Sequence, residues 1–152
     1  MKYNRKRLLL MLVGLCLWGT SHARFFIGFP LASQVSEDAV SSYLGVSLGT
    51  YDLGGGFGLR GSLEFKPVVS AAYYQAGADL LYSSGESTIF YAGLGGGYSS
   101  AARAESLYLA GTVGLDLDAA SLVSVFAELQ PRYDLASESG RLYLRAGLNF
   151  HL

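Results

Sequence analysis

Along residues 141–152, RLYLRAGLNFHL, every second position is apolar: Leu142, Leu144, Ala146, Leu148, Phe150 and Leu152. The positions between them, Tyr143, Arg145, Gly147, Asn149 and His151, hold no aliphatic side chain. Successive side chains of a β-strand point to opposite faces, so the segment predicts a strand that is greasy on one face and polar on the other. The same alternation recurs upstream. It is clearest over Ser106–Asp118, where Leu107, Leu109, Val113, Leu115 and Leu117 oppose Tyr108, Ala110, Thr112, Gly114 and Asp116.

Marked out this way, the chain predicts eight strands: Arg24–Phe29, Ala39–Tyr51, Phe57–Phe65, Val69–Tyr82, Ser87–Tyr98, Ser106–Asp118, Val123–Arg132 and Arg141–Leu152. The first is an apolar run stopped by Pro30, with a possible edge-like continuation beyond it. Gly- and Ser-rich breaks at 52–56, 83–86 and 119–122 read as tight turns, and 30–38, 66–68, 99–105 and 133–140 as loops. Most of these strands exceed the five or six residues usual in globular sheets. They match the roughly 9–11 that a tilted strand needs to cross a bilayer.

The two faces then have to be assigned. A soluble, lipocalin-like barrel puts its greasy face inward and needs a charged exterior. The polar face here is made of Gly, Ser and Tyr without lysine, which suits the interior of a narrow barrel. Eight strands leave just enough lumen for side chains to fill. Between the strand ends, the greasy face of strands two to eight carries no Asp, Glu, Lys, Arg or His, and a charge at mid-bilayer costs about 2–4 kcal/mol. Outward aromatics recur eight residues apart, as Phe57 with Phe65, Tyr74 with Tyr82 and Phe90 with Tyr98. That spacing is roughly 20 Å along the membrane normal, close to the height of an apolar band flanked by aromatic girdles. Phe150 joins this set from the last strand. Unpaired strand edges are not tolerated in hydrocarbon, so the eighth strand has to close on the first.

Composition sharpens the picture at the N-terminus. Lys2, Arg5, Lys6 and Arg7 precede the apolar stretch Leu8–Trp18, and Ser21-His22-Ala23 offers small residues for cleavage after Ala23. Residues 1–23 therefore read as a secretory signal peptide, and 24–152 as one barrel domain. A lipoprotein signal would need a small residue before Cys16, where Leu15 stands. Removing the signal removes Cys16, the single cysteine, and leaves seven basic against twelve acidic residues, with Lys66 the one lysine. Disulfides and thiol chemistry are excluded, and no basic patch is left for nucleic acid.

In its signal peptide, strand number and final strand, the chain resembles the small OmpA/OmpX-type outer-membrane β-barrels over essentially its whole mature length. The resemblance implies an all-β, eight-stranded antiparallel up-and-down transmembrane barrel in the outer membrane. Lipid bilayer and the outer-membrane assembly machinery are the partners it implies, with an envelope or surface partner unidentified. Members of the class typically end on an aromatic residue that this machinery reads; here the alternation Leu144, Ala146, Leu148, Phe150 is kept but the terminus is Leu152.

Candidate chemistry lies in the lumen, where the pattern places Arg60, Glu64, Asp79, Asp116, Glu128, Arg132 and Arg145. Charges buried in a narrow barrel have to pair. The expected network centres on Glu128 and Arg145, on adjacent strands, with Arg60 and Asp79 completing it. It reads either as a structural plug or as a gated path for ions or protons. The string Gly56-Phe57-Gly58-Leu59-Arg60-Gly61 matches a dinucleotide-binding pattern, but it runs into a strand rather than a helix. Gly93, Gly95, Gly96 and Gly97 form no phosphate loop and read as small lumen packing. His151 is the one histidine of the mature chain, with no serine and acid marked out beside it. No catalytic residue, metal site or cofactor is expected. The function this supports is structural or surface-interacting, with a filled polar lumen. A narrow porin-like pore is the alternative, and a soluble exported lipid-binding barrel a more distant one.

Overall fold

In the computed structural model, residues 24–35, 40–66, 73–101 and 104–152 are described. The expected signal peptide and its cleavage site, and the first residues assigned to the fourth strand, lie outside them. Eight antiparallel strands follow one another round a closed barrel: β1 Phe25–Val35, β2 Val40–Gly54, β3 Phe57–Lys66, β4 Tyr73–Ser84, β5 Thr88–Ala101, β6 Ala104–Ala120, β7 Val123–Asp134 and β8 Ser139–His151. Closure is made by β1 on β8, from Phe26↔His151 to Val35↔Leu142. The start of β1, the end of β8 and the connections after β2, β4 and β6 lie at one end, here the terminal end; the other is the loop end.

Faces follow from period two. Leu44, Val46 and Leu48 of β2, Leu107, Leu109 and Val113 of β6, and Leu142, Leu144 and Leu148 of β8 are exposed on the outside. Their neighbours Tyr43, Ser47, Tyr108, Thr112, Tyr143 and Arg145 are buried inside. The barrel is thus inside-out relative to a soluble protein: Leu94, in mid-strand, is 76% exposed while Arg145 is 1% exposed. Phe57 packs on Tyr82 (ring centroids 5.3 Å apart) near the terminal end, and Tyr74 on Tyr98 (6.2 Å) near the loop end. Phe65, Phe90 and Phe150 also face outward, as do Phe25, Phe29 and Tyr133.

Most of the described strands are longer, and most of the connections shorter, than the sequence pattern predicts. β1 does not stop at Pro30 but runs to Val35, which removes most of the expected 30–38 loop. Pro30 lacks an N–H, and the pairing with β2 lapses between Gly28↔Ser47 and Leu31↔Leu44, while the β8 side stays paired through Pro30↔Gly147. One missing donor interrupts two ladder positions rather than the strand. Pro131 is carried the same way in β7, opposite Leu142 of β8, with the β6 pairing interrupted between Ala110↔Arg132 and Val113↔Leu129. The expected 99–105 loop is largely strand as well, since pairing continues to Ala101↔Ala104. Small residues signal a loop by propensity, but in a closed barrel each backbone group gains a neighbour by staying in register.

At the terminal end, Gly55 and Gly56 have φ of +65° and +82°, the left-handed pair that a two-residue hairpin turn requires, and Gly54 pairs with Phe57 across it. Asp52 Oδ1 accepts the Gly54 N–H at 2.7 Å and the Gly56 N–H at 3.3 Å, fixing the turn.

The outward assignment is directly testable. Leu94→Arg is expected to lower the unfolding free energy of the barrel in lipid vesicles by about 2–4 kcal/mol, measured by denaturant titration. A soluble barrel would tolerate the change at so exposed a position.

Candidate functional site: the barrel lumen

Inward positions alternate large side chains with glycine, and that alternation is what lets the lumen fill. A Cβ on Gly114 would lie 2.6 Å from the Tyr91 ring and hydroxyl and 2.7 Å from Glu128 Cβ; one on Gly93 would lie 2.7 Å from Leu81. Glycine at these places makes room for the neighbouring strand's side chain rather than for a turn.

The middle of the lumen holds a ladder of charges. Arg60 of β3 donates to Asp79 of β4 through Nε (3.0 Å) and Nη2 (2.8 Å), and through Nη1 to Glu128 of β7 (2.6 Å). Arg145 of β8 donates to the other oxygen of Glu128. Its Nε lies 2.7 Å from Glu64 Oε1 of β3, an ion pair without hydrogen-bond alignment, since both atoms lack a hydrogen-bond partner. Glu64 Oε2 accepts from Arg132 Nη2 at 3.0 Å. Arg132 also donates to Gln75 and, at 2.7 Å, to Gln130, which donates to Thr112. Tyr91 donates its hydroxyl to Glu128 at 2.8 Å.

Signs therefore alternate along Asp79, Arg60, Glu128, Arg145, Glu64 and Arg132, with three of each. Two of the contacts join strands that are ladder neighbours: Arg60 sits opposite Asp79, and Glu128 opposite Arg145. The others, Arg60 with Glu128, Arg145 with Glu64 and Arg132 with Glu64, cross the lumen from β3 to β7 or β8. Glu64 and Arg132 are integral to the ladder, while Asp116 stands apart from it and is held by Asn149 Nδ2 at 2.8 Å.

Aromatic layers lie at both ends of the ladder. Toward the terminal end Phe26 stacks on Tyr51 (4.7 Å, 23°), and Tyr51 packs on Tyr91 (5.1 Å), with Leu81 and Ile89 in the same cluster. Toward the loop end Tyr43 packs on Tyr73 (5.4 Å) and Tyr143 (5.9 Å), and the hydroxyls of Tyr43 and Tyr143 both donate to Gln34 Oε1. The Arg132 guanidinium lies 4.1 Å from the Tyr143 ring centre and 4.9 Å from that of Tyr108, so its face is covered as well as its edges. A cavity of about 10 Å³ at the loop end, lined by Tyr73, Gln75, Tyr108, Arg132 and Tyr143 among others, has room for about one water.

One pair escapes any reading of the sequence. Ser124 Oγ lies 2.8 Å from His151 Nε2 near the terminal rim, because β7 and β8 bring 124 opposite 149. Ser124 is fully buried and His151 Nδ1 has no partner among the described residues, so the pair is not a nucleophile with an oriented base.

No family model matches the chain, and no curated protein matches it. Solved structures do. The N-terminal β-barrel domain of Pseudomonas aeruginosa OprF aligns with 86% of this chain and 100% of its own at 18% identity and a TM-score of 0.61. Neisserial surface protein A aligns over 84% and 96% at 15% identity and 0.63. Ail, the attachment invasion locus protein of Yersinia pestis, aligns over 86% and 97% at 14% identity and 0.57. At these identities the likeness is one of fold.

The ladder predicts an order among substitutions. Glu128→Ala removes one carboxylate partner from each of two guanidinium groups, Arg60 and Arg145, and is expected to destabilise the barrel by about 3–5 kcal/mol. Asp79→Ala strands one side of a guanidinium that keeps Glu128, and should cost less. Paired denaturant titrations of the two variants check the order.

The chain thus has the fold of the small eight-stranded outer-membrane β-barrels, with a lumen occupied by its own side chains.

Proposed function

We propose that this is an integral outer-membrane protein with a structural or surface-interacting role, and that it neither conducts nor catalyses. In this reading a signal peptide cleaved after Ala23 exports it, the outer-membrane assembly machinery inserts it, and its lumen network serves as a plug that fixes strand register. The observation that carries the proposal is the neutral six-charge ladder with an aromatic layer toward each end, which occupies the middle of the lumen with side chains already paired to one another. Conduction needs sites that bind an ion well enough to admit it and weakly enough to release it; here each carboxylate of the ladder is already engaged by arginine.

The outer face supports the membrane half of the reading: a continuous aliphatic surface with aromatics near each end would aggregate in water but is solvated by lipid. Short connections limit the surface half. Four positions separate β7 from β8 and two separate β5 from β6, too few for an elaborate binding site. Contact with a partner would then involve the barrel rim. Among proteins of this fold, one is named for attachment and another as a surface protein, which supports presentation at a surface.

Purified folded barrel in a planar bilayer is expected to show no conductance steps above the protein-free baseline. Steady ohmic steps would sink the plug reading and favour the pore. Carbonate washing of membranes is expected to leave the protein in the pellet, with a mobility shift on boiling; release into the aqueous fraction would remove the membrane assignment itself.

A further inference from the structure

At the loop end of the lumen, Arg132 of β7 stands directly opposite Arg141 of β8. Like charges directly opposite each other destabilise a strand pair, so a group of opposite sign between them is stabilising. Arg132 has Glu64 as a counter-charge, whereas among the described residues no carboxylate pairs with Arg141. Lys66, opposite Tyr73 in the β3–β4 register, adds a further positive charge to the same rim, and its Nζ donates to a neutral group, Ser41 Oγ, at 3.1 Å. Asp134 also lines this mouth. Its Oδ1 is committed to the turn after β7, accepting the Ser106 hydroxyl at 2.7 Å and the N–H groups of Ala136 and Ser137 at 3.1 and 2.9 Å.

Both arginines line the water-sized cavity at the loop end, and so does Gln75. Gln75 is 2% exposed; its Oε1 accepts from Arg132 Nη1, and its Nε2 is a buried donor with no acceptor. A buried donor left unpaired is costly. The amide cannot be turned round to relieve this, because an N–H would then face the guanidinium. Arg132 spends three of its five N–H groups on Gln75, Gln130 and Glu64, which leaves two. The cavity therefore gathers unspent N–H donors from one amide and two guanidinium groups, a set that suits an anion. Entry does not require passage through the ladder, since Arg141 is exposed and Tyr73 and Ser99 are partly so. Size then selects among anions. The cavity has room for about one water. A halide ion is only a little larger than that, whereas sulfate and phosphate carry four oxygens.

We propose that the loop-end cavity is a binding site for one small monovalent anion, chloride, held by the Gln75 amide, Arg132 and Arg141. The bound ion offsets the repulsion between the two opposed guanidinium groups and ties β4 to β7 and β8 on the loop side of the ladder.

The test uses the folded full barrel in an uncharged detergent near neutral pH, without phosphate, with thermal unfolding followed in sodium chloride and in sodium gluconate at equal ionic strength. Gluconate is too large for the cavity. The wild-type Tm is expected to be higher in chloride by about 4 °C, rising to saturation with chloride concentration. Gln75→Glu keeps an acceptor for Arg132 but sets a carboxylate where the free donor stood, and Arg141→Gln removes the exposed cation; each is expected to abolish the difference. Equal Tm values for the wild type in the two salts would overturn the proposal, and so would a chloride-specific rise that survives in Gln75→Glu. Wild-type crystals grown in sodium bromide decide the matter whether or not the variants fold. An anomalous bromide peak within hydrogen-bond reach of Gln75 Nε2 and Arg141 is expected, and a cavity that holds only water would overturn the site.

Discussion

Six charged side chains occupy the middle of this barrel, and none has solvent to fall back on. Each is within a few per cent of complete burial. A carboxylate or guanidinium taken out of water loses several kcal/mol of hydration, which only a well-placed opposite charge offsets. Much else in the structure follows from that requirement. Glycines sit where the long side chains need room, and tyrosines at both ends keep water away while offering hydroxyls and ring faces to the charges. The register of β3 against β7 and β8 is set across the lumen as well as along the ladder, since a one-residue slip would turn Arg60 or Glu128 out into lipid.

The outside obeys a simpler rule. In the proposed membrane setting every alternate residue meets hydrocarbon, and the backbone there has no water to bond. Closure of β8 on β1 is then obligatory, and so is the absorption of Pro30 and Pro131 into strands. In water a proline within a strand usually marks an edge, because the gap it leaves can be hydrated. In a closed barrel the gap is local and the neighbouring pairs hold the strand in place. That is why the expected 30–38 loop is largely strand: by local propensity proline breaks a chain, but the deciding term is the pairing available on both sides.

The faces, the strand number and the closing seam were legible because period two is a strong signal when it repeats eight times. The lumen residues were legible for the same reason. Neighbouring-strand contacts such as Glu128 with Arg145 followed from strand order. What the pattern could not give was the set of transverse partners. Whether Arg60 reaches Glu128 or stops at Asp79 depends on shear and tilt, which no single strand encodes. The isolation of Asp116 and the approach of Ser124 to His151 were hidden on the same ground: both depend on how far one strand is staggered against another.

The interior of the barrel depends on the ladder spanning the lumen, not merely pairing neighbours along the wall. The most direct measurement is a double-mutant cycle on Arg60 and Glu128, residues on β3 and β7 that meet only across the interior. Unfolding free energies of wild type, Arg60→Ala, Glu128→Ala and the double variant, taken in lipid vesicles, are expected to give a coupling of about 1–3 kcal/mol. A coupling indistinguishable from zero would mean that the two side chains do not meet, and that the lumen is held by neighbouring-strand pairs alone.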